Sequence, residues 1–198
     1  QTAARPLVIL CDISGSMEHY SRVMLHFIHG LTQPQSAVHS FLFGTKLTNI
    51  TRQMRQRDAD AAVQAISISV ADWSGGTLIG SNLQRFNRDW SRRVLTGGAT
   101  VILITDGSDC TPDGDTSALR RLHFEMERLH KSTYNLIWLN PLLRFVGFAT
   151  KSHSSQTVLP DGDDSLPMHS VQSIGDSAGA RPMICRRRSK QRIGWQKL

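Results

Sequence analysis

One alternation runs through most of the chain: a short, almost wholly apolar run that stops at turn-type residues, then a longer stretch whose apolar residues recur every three or four positions. The apolar runs are Pro6 to Cys11, Ala37 to Phe43, Ala99 to Thr105 and Tyr134 to Leu139. Short runs of Leu, Val and Ile with no polar face are what a parallel sheet covered on both sides requires. Tyr20, Val23, Met24, Phe27, Ile28 and Leu31 form one helical stripe, which Pro34 breaks. Asp58 is placed to cap a helix over 59–70, and the loop Ser74-Gly75-Gly76 opens another with Ile79, Leu83, Phe86, Trp90 and Val94 on one face. Leu119, Leu122, Met126 and Leu129 mark a further helix. After the turn Gly44-Thr45, the β-branched stretch Leu47 to Thr51 reads as an antiparallel return. Strands alternating with amphipathic helices predict a doubly wound α/β fold: a mostly parallel central sheet, one antiparallel edge strand, and helices on both faces in the Rossmann-like manner. Past about residue 150 the pattern weakens, with room for a last short strand and a helical turn between Ser165 and Ile174.

Such folds bind ligands beyond the carboxyl ends of their strands. The first strand ends in Asp12-Ile13-Ser14-Gly15-Ser16, and the fourth ends in Asp106-Gly107-Ser108-Asp109. If the first loop is extended, Asp12, Ser14 and Ser16 face one side, with Gly15 permitting a bend. Thr77 joins from the glycine loop and Asp106 from the fourth strand. Two carboxylates and three hydroxyls are a hard-oxygen set suited to Mg2+ or Mn2+, with one position left for an outside ligand. Each residue alone has a plainer use: Ser14, Ser16 and Thr77 as helix caps, Asp106-Gly107 as a turn. Three separate loops converging on one edge favour a metal site at Asp12, Ser14, Ser16, Thr77 and Asp106.

The same residues carry a family resemblance. The chain resembles a von Willebrand factor type A (VWA) domain with its metal-ion-dependent adhesion site. The DxSxS element matches Asp12, Ser14 and Ser16, the threonine element Thr77 within WSGGT, and the TDG element Thr105-Asp106-Gly107. Within that class it is similar to the CoxE-like branch, through RPLVILCDISGSM, FLFGTKLTNITR, DWSGGTLIGSNLQRFNRDW, VILITDG and LIWLNPL, over roughly residues 5 to 143. The resemblance implies a domain that grips a partner's Asp or Glu carboxylate through a divalent metal, with Asp106 acting through water. It also implies a MoxR-type AAA+ ATPase as partner, and a place in maturing a molybdenum hydroxylase such as carbon monoxide dehydrogenase.

Composition narrows the alternatives. The 198 residues carry a formal charge of +7, but residues 181–198 hold 7 of the 23 Lys and Arg and no acid, so the rest is formally neutral. No nucleic-acid partner is therefore expected: residues 1–176 read as the VWA domain and 177–198 as a basic, flexible tail, to which nucleic-acid binding is confined as an alternative. Cys11, Cys110 and Cys185 form no CxxC pair and the eight histidines no HxxxH or HxH, which argues against a disulfide framework or a zinc site and for a reducing, cytoplasmic setting. No apolar run is long enough to span a bilayer. The first residue is Gln, which suggests a fragment of something longer. A Mg2+-dependent phosphohydrolase with Asp12 as nucleophile is the rival reading. Where such an enzyme would place a general-acid carboxylate and a lysine aimed at phosphate close to Asp12, the positions hold Ser14 and Ser16, and there is no GxxxxGK[ST] or GxSxG motif, so the expectation is a binding protein rather than an enzyme.

Overall fold

A computed structural model describes residues 5–33, 37–70, 73, 75–108, 115–141 and, for the backbone, 164–167. Six strands form one sheet: β1 (Leu7–Asp12), β2 (Val38–Phe43), β3 (Leu47–Asn49), β4 (Thr100–Ile104), β5 (Asn135–Asn140) and β6 (Asp164–Pro167). Their order is β3-β2-β1-β4-β5-β6, antiparallel only at the β2–β3 edge. β1 pairs in parallel with both β2 and β4. Chain order therefore runs outward in both directions from β1, and the switch point lies between β1 and β4.

Alternation along the strands sorts the core into two layers. Ile9, Cys11, Leu42, Ile102, Ile104, Ile137 and Leu139 face helices α1 (Glu18–Thr32), α2 (Thr51–Met54) and α3 (Ala59–Ser69). Val8, Leu10, Phe41, Phe43, Val101, Leu103, Leu136 and Trp138 face α4 (Ile79–Asp89), α5 (Ser91–Val94) and α6 (Thr116–Ser132). Neighbouring residues of one strand thus feed opposite cores, which is why these strands are apolar throughout. On the second face Phe41 meets Phe86 and Trp90 edge-on, with centroids 5.3 and 5.1 Å apart. α4 and α6 touch so closely that a Cβ on Gly80 would lie 3.2 Å from the backbone of Leu122.

Three expectations are corrected. Thr51 begins α2 instead of extending β3, because its hydroxyl accepts from Ser40 N at 3.0 Å and binds the buried β2 backbone. Val23 is 55% exposed while Leu25 is buried, so the stripe of α1 is rotated from the one read off the sequence. The single helix expected through Trp90 is two, since Trp90 departs from helical geometry (φ −120°, ψ −34°) and ends α4. Asp58 caps α3 as expected, accepting from Ala61 N. The last strand is present as β6, whereas the following helical turn, the 176/177 boundary, Cys110 and Cys185 lie outside the described residues. No helix among the described residues is long and apolar enough to cross a membrane.

Candidate functional site at the switch point

Asp12 is the last residue of β1, and Asp106 follows β4 by two residues, so both stand at the switch point, on the carboxyl edge of the sheet. Asp12 is fully buried and both its oxygens are used. Oδ1 accepts from Ser14 N at 2.8 Å and from the Thr77 hydroxyl at 3.3 Å, and Oδ2 accepts from the Thr105 hydroxyl at 2.7 Å. Thus one carboxylate gathers donors from the first loop, the glycine loop and the end of β4.

The first loop is not extended as the alternation argument supposed. Gly15–Met17 forms a 3-10 turn, and convergence comes from the turn that Asp12 Oδ1 makes with Ser14 N. The Ser14 and Ser16 hydroxyls then lie 3.2 Å apart, the first buried and the second exposed. Gly15 does not use the left-handed region. Its N–H instead donates to Gly75 O at 3.3 Å, tying the first loop to the glycine loop that carries Thr77. Left-handed geometry appears at Gly107 (φ 79°), where the chain turns directly after Asp106 and a side chain would be strained.

The capping alternative loses ground. Ser14 makes no side-chain cap bond to the 3-10 turn, and the N-cap positions of α1 and α4 are taken by Met17 and Leu78, which have no side-chain oxygen to offer. The hydroxyls of Ser16 and Thr77 sit one residue before those positions.

Three residues that sequence reasoning did not assign to the site hold it in place. Thr105 is buried, donates to Asp12 and accepts from Gly107 N at 3.1 Å. On β5, Trp138 Nε1 donates to Thr105 O at 2.9 Å and Asn140 Nδ2 to Asp106 O at 3.3 Å, both side chains being buried. Asp106 itself is buried and accepts from Ser108 N through Oδ1 at 2.8 Å. Thr105 was visible within its motif, but nothing local marks Trp138 or Asn140 as partners of a loop more than thirty positions away.

Electrostatically the site centres on the buried Asp12 carboxylate. Burial pushes Asp12 up to about 6, the negative charge of Asp106 adds to the rise, and the hydrogen bonds from Ser14 and Thr105 oppose it. Among the described residues no Lys, Arg or His lies within ion-pair distance of Asp12. Cys11, beside it, is buried and its thiol is pushed well up by burial and by the Asp12 charge, which leaves it an inert core residue. No group of three His, Cys, Asp or Glu side chains gathers among the described residues, so what these residues offer a cation here is hydroxyls together with carboxylates.

This doubly wound fold has counterparts among solved structures. An aerotolerance-related membrane protein from Bacteroides fragilis is 14% identical over 89% of this chain and 97% of its own, with a TM-score of 0.56. BatB from Bacteroides thetaiotaomicron is 15% identical over 89% and 98%, with a TM-score of 0.52. Proximal thread matrix protein 1 from the mussel byssus is 16% identical over 88% of this chain but only 46% of its own, with a TM-score of 0.54. At such identities the likeness establishes the fold alone. No curated protein matches the sequence. The model of the VWA domain containing CoxE-like protein family matches residues 1–174, and the chain belongs to that family.

Proposed function

We propose that the chain is a metal-dependent protein-interaction module, in which Asp12, Ser14, Ser16, Thr77 and Asp106 hold Mg2+ or Mn2+ and the metal takes a carboxylate from a partner protein. The observation that carries this reading is the buried Asp12 carboxylate, raised to about 6 and with no cationic partner among the described residues, with hydroxyls from two other loops brought onto it. Leaving an anion buried and unpaired is costly, and a bound cation relieves that cost. The donors are all hard oxygens from separate loops, which suits a cation of the Mg2+ type that keeps several waters. When bound, the metal supplies a Lewis-acidic position for an acidic side chain. The chain's own residues orient the donors, through Thr105 on Asp12 and through Trp138 and Asn140 on the loop carbonyls.

Membership of the CoxE-like family supports a finer reading. The module acts as adaptor or co-chaperone for a MoxR-type AAA+ ATPase, in the cytoplasm, during maturation of a molybdenum hydroxylase such as carbon monoxide dehydrogenase. The phosphohydrolase alternative is weakened by Asp12 itself, which is buried and accepts hydrogen bonds on both oxygens instead of presenting one to a substrate.

Calorimetric titration with Mg2+ and Mn2+ tests the base of this reading. One site that Asp12→Ala abolishes is the expected result, and no binding to either ion, or binding that survives the substitution, refutes it. A pulldown with and without chelator then identifies the partner.

A further inference from the structure

Charge is shared unevenly between the two helical layers. α1, α2 and α3 carry Arg22 and Arg52 against Glu18 and Asp60, and the α2–α3 loop adds Arg55 and Arg57 against Asp58. The other layer is strongly basic: α4 and α5 have four arginines against Asp89 alone, and α6 has three arginines and a lysine against Glu125 and Glu127. Those three acids are already engaged. Asp89 takes Arg88 at 2.7 Å, Glu127 takes Lys131 at 2.6 Å, and Glu125, 2% exposed, takes the Asn87 amide at 2.8 Å beneath Arg128.

Arg92, Arg93, Arg120 and Arg121 remain, exposed, with no carboxylate within ion-pair distance among the described residues; Arg93 lies over the Trp90 ring, and Arg120 and Arg121 stand together near the start of α6. Phe124 follows them by four and three positions, on the same side of α6, and is 60% exposed. One exposed apolar side chain means little by itself. Here it is a phenyl ring one turn from two exposed guanidinium groups, of which Arg121 helps hold the Asp115 carboxyl below its usual range. The place matters as well. Arg121 Nη1 reaches Ser81 Oγ at 3.5 Å, near the start of α4, which begins directly after Thr77 and the part-exposed Leu78. The cluster therefore sits at the end of the layer that adjoins the Asp12 site.

We infer that this end of the α4–α6 layer docks an acidic polypeptide segment that carries an apolar side chain among its carboxylates. The carboxylates face Arg120 and Arg121, and the apolar side chain packs on Phe124. A polypeptide fits better than a nucleic acid, because a continuous phosphate chain laid along this edge would run onto Asp115 at the start of α6 and the carboxylates of the site. The inference rests on the chain being an interaction module and does not require the metal.

The test uses the full chain in EDTA at low salt, with fluorescein-labelled poly(Glu,Tyr) copolymer, poly-Glu and oligo-dT compared by anisotropy. The copolymer is expected to bind more tightly than poly-Glu, and to weaken as salt rises. Arg120→Glu with Arg121→Glu should weaken copolymer binding on the order of tenfold or more, and the gentler Gln pair should weaken it less. Phe124→Ala should remove the advantage of the copolymer over poly-Glu. Asp12→Ala should leave this binding intact while abolishing the metal titration, so the two readings fail separately. Three outcomes overturn the inference: copolymer binding that survives the Glu pair, binding that disappears on deleting residues 181–198, or oligo-dT binding that exceeds the copolymer's and is lost with the Glu pair. Circular dichroism of the variants checks that these surface changes leave the fold intact.

Discussion

Replacing Asp12 by Asn should stabilise the protein in EDTA while destroying its metal binding, and this is the sharpest consequence of the site's electrostatics. The carboxylate is fully buried, and its pKa is raised from 3.8 to about 6, chiefly by burial. One pKa unit corresponds to about 1.4 kcal/mol between the protonated and charged forms, so ionised Asp12 costs the metal-free fold on the order of 3 kcal/mol at neutral pH. The sign follows from linkage. The folded state holds this proton more tightly than the unfolded chain does, so the contribution of Asp12 is fully present below about pH 4 and is lost as pH rises through about 6.

Asn keeps the shape without the charge. Its Oδ1 can still accept from Ser14 N and from Thr77, and the Thr105 hydroxyl has a second lone pair to accept from the new amide. Weaker hydrogen bonds to a neutral group offset the gain by about 1 kcal/mol. The net expectation at pH 7.5 is roughly 2 kcal/mol of added stability, or a Tm about 4–8 °C higher for a domain of this size. At pH 4 the advantage should vanish or reverse slightly. Urea unfolding of both proteins in EDTA at the two pH values measures it. A variant less stable at pH 7.5, or a difference independent of pH, would refute the claim that Asp12 is held as a costly buried anion, and with it the argument for a cation here.

Other substitutions probe what holds the site. Thr105→Val removes a hydrogen bond that lowers the Asp12 pKa, so proton competition should reach further toward neutrality and the apparent Mg2+ affinity at pH 6 to 7 should fall; titrations across that range measure it. Asn140→Leu leaves the buried Asp106 carbonyl without this donor, which should cost about 1–3 kcal/mol in urea unfolding and also weaken Mg2+ binding, although Asn140 is no ligand. Unchanged affinity beside lowered stability would show that Asn140 does not position the loop. Gly80→Ala sets a methyl group 3.2 Å from the Leu122 backbone, so α4 and α6 must part at a cost of about 1–3 kcal/mol, seen as a lower Tm.

The frame of the molecule was legible because strands buried on both faces betray themselves by composition, and amphipathic helices by period. Errors arose where a side chain had a use that no local pattern encodes. Thr51 has the β-branched character of a strand residue, yet its hydroxyl binds the Ser40 backbone eleven positions earlier, and the chain turns into α2 to let it. Trp90 continues the apolar stripe of α4, but its ring packs edge-on against Phe41 of β2, where the backbone leaves the helix.

The candidate site divides in the same way, and the division explains how it works. Asp12, Ser14, Ser16, Thr77 and Asp106, the proposed donor set, stand in short motifs whose spacing is local. What restrains those loops is long-range: Thr105 reaches Asp12 across 93 positions, Trp138 reaches the Thr105 carbonyl across 33, and Asn140 reaches that of Asp106 across 34. Such partners come together only because β1, β4 and β5 lie side by side in register. Parallel pairing puts the carboxyl ends of all three strands on one edge, so a buried donor on β5 can hold a loop that leaves β4, whose hydroxyl in turn holds a carboxylate at the end of β1. The order of the strands, more than any one of the motifs, is what lets oxygens distant in sequence be held rigidly around a charge that water does not reach.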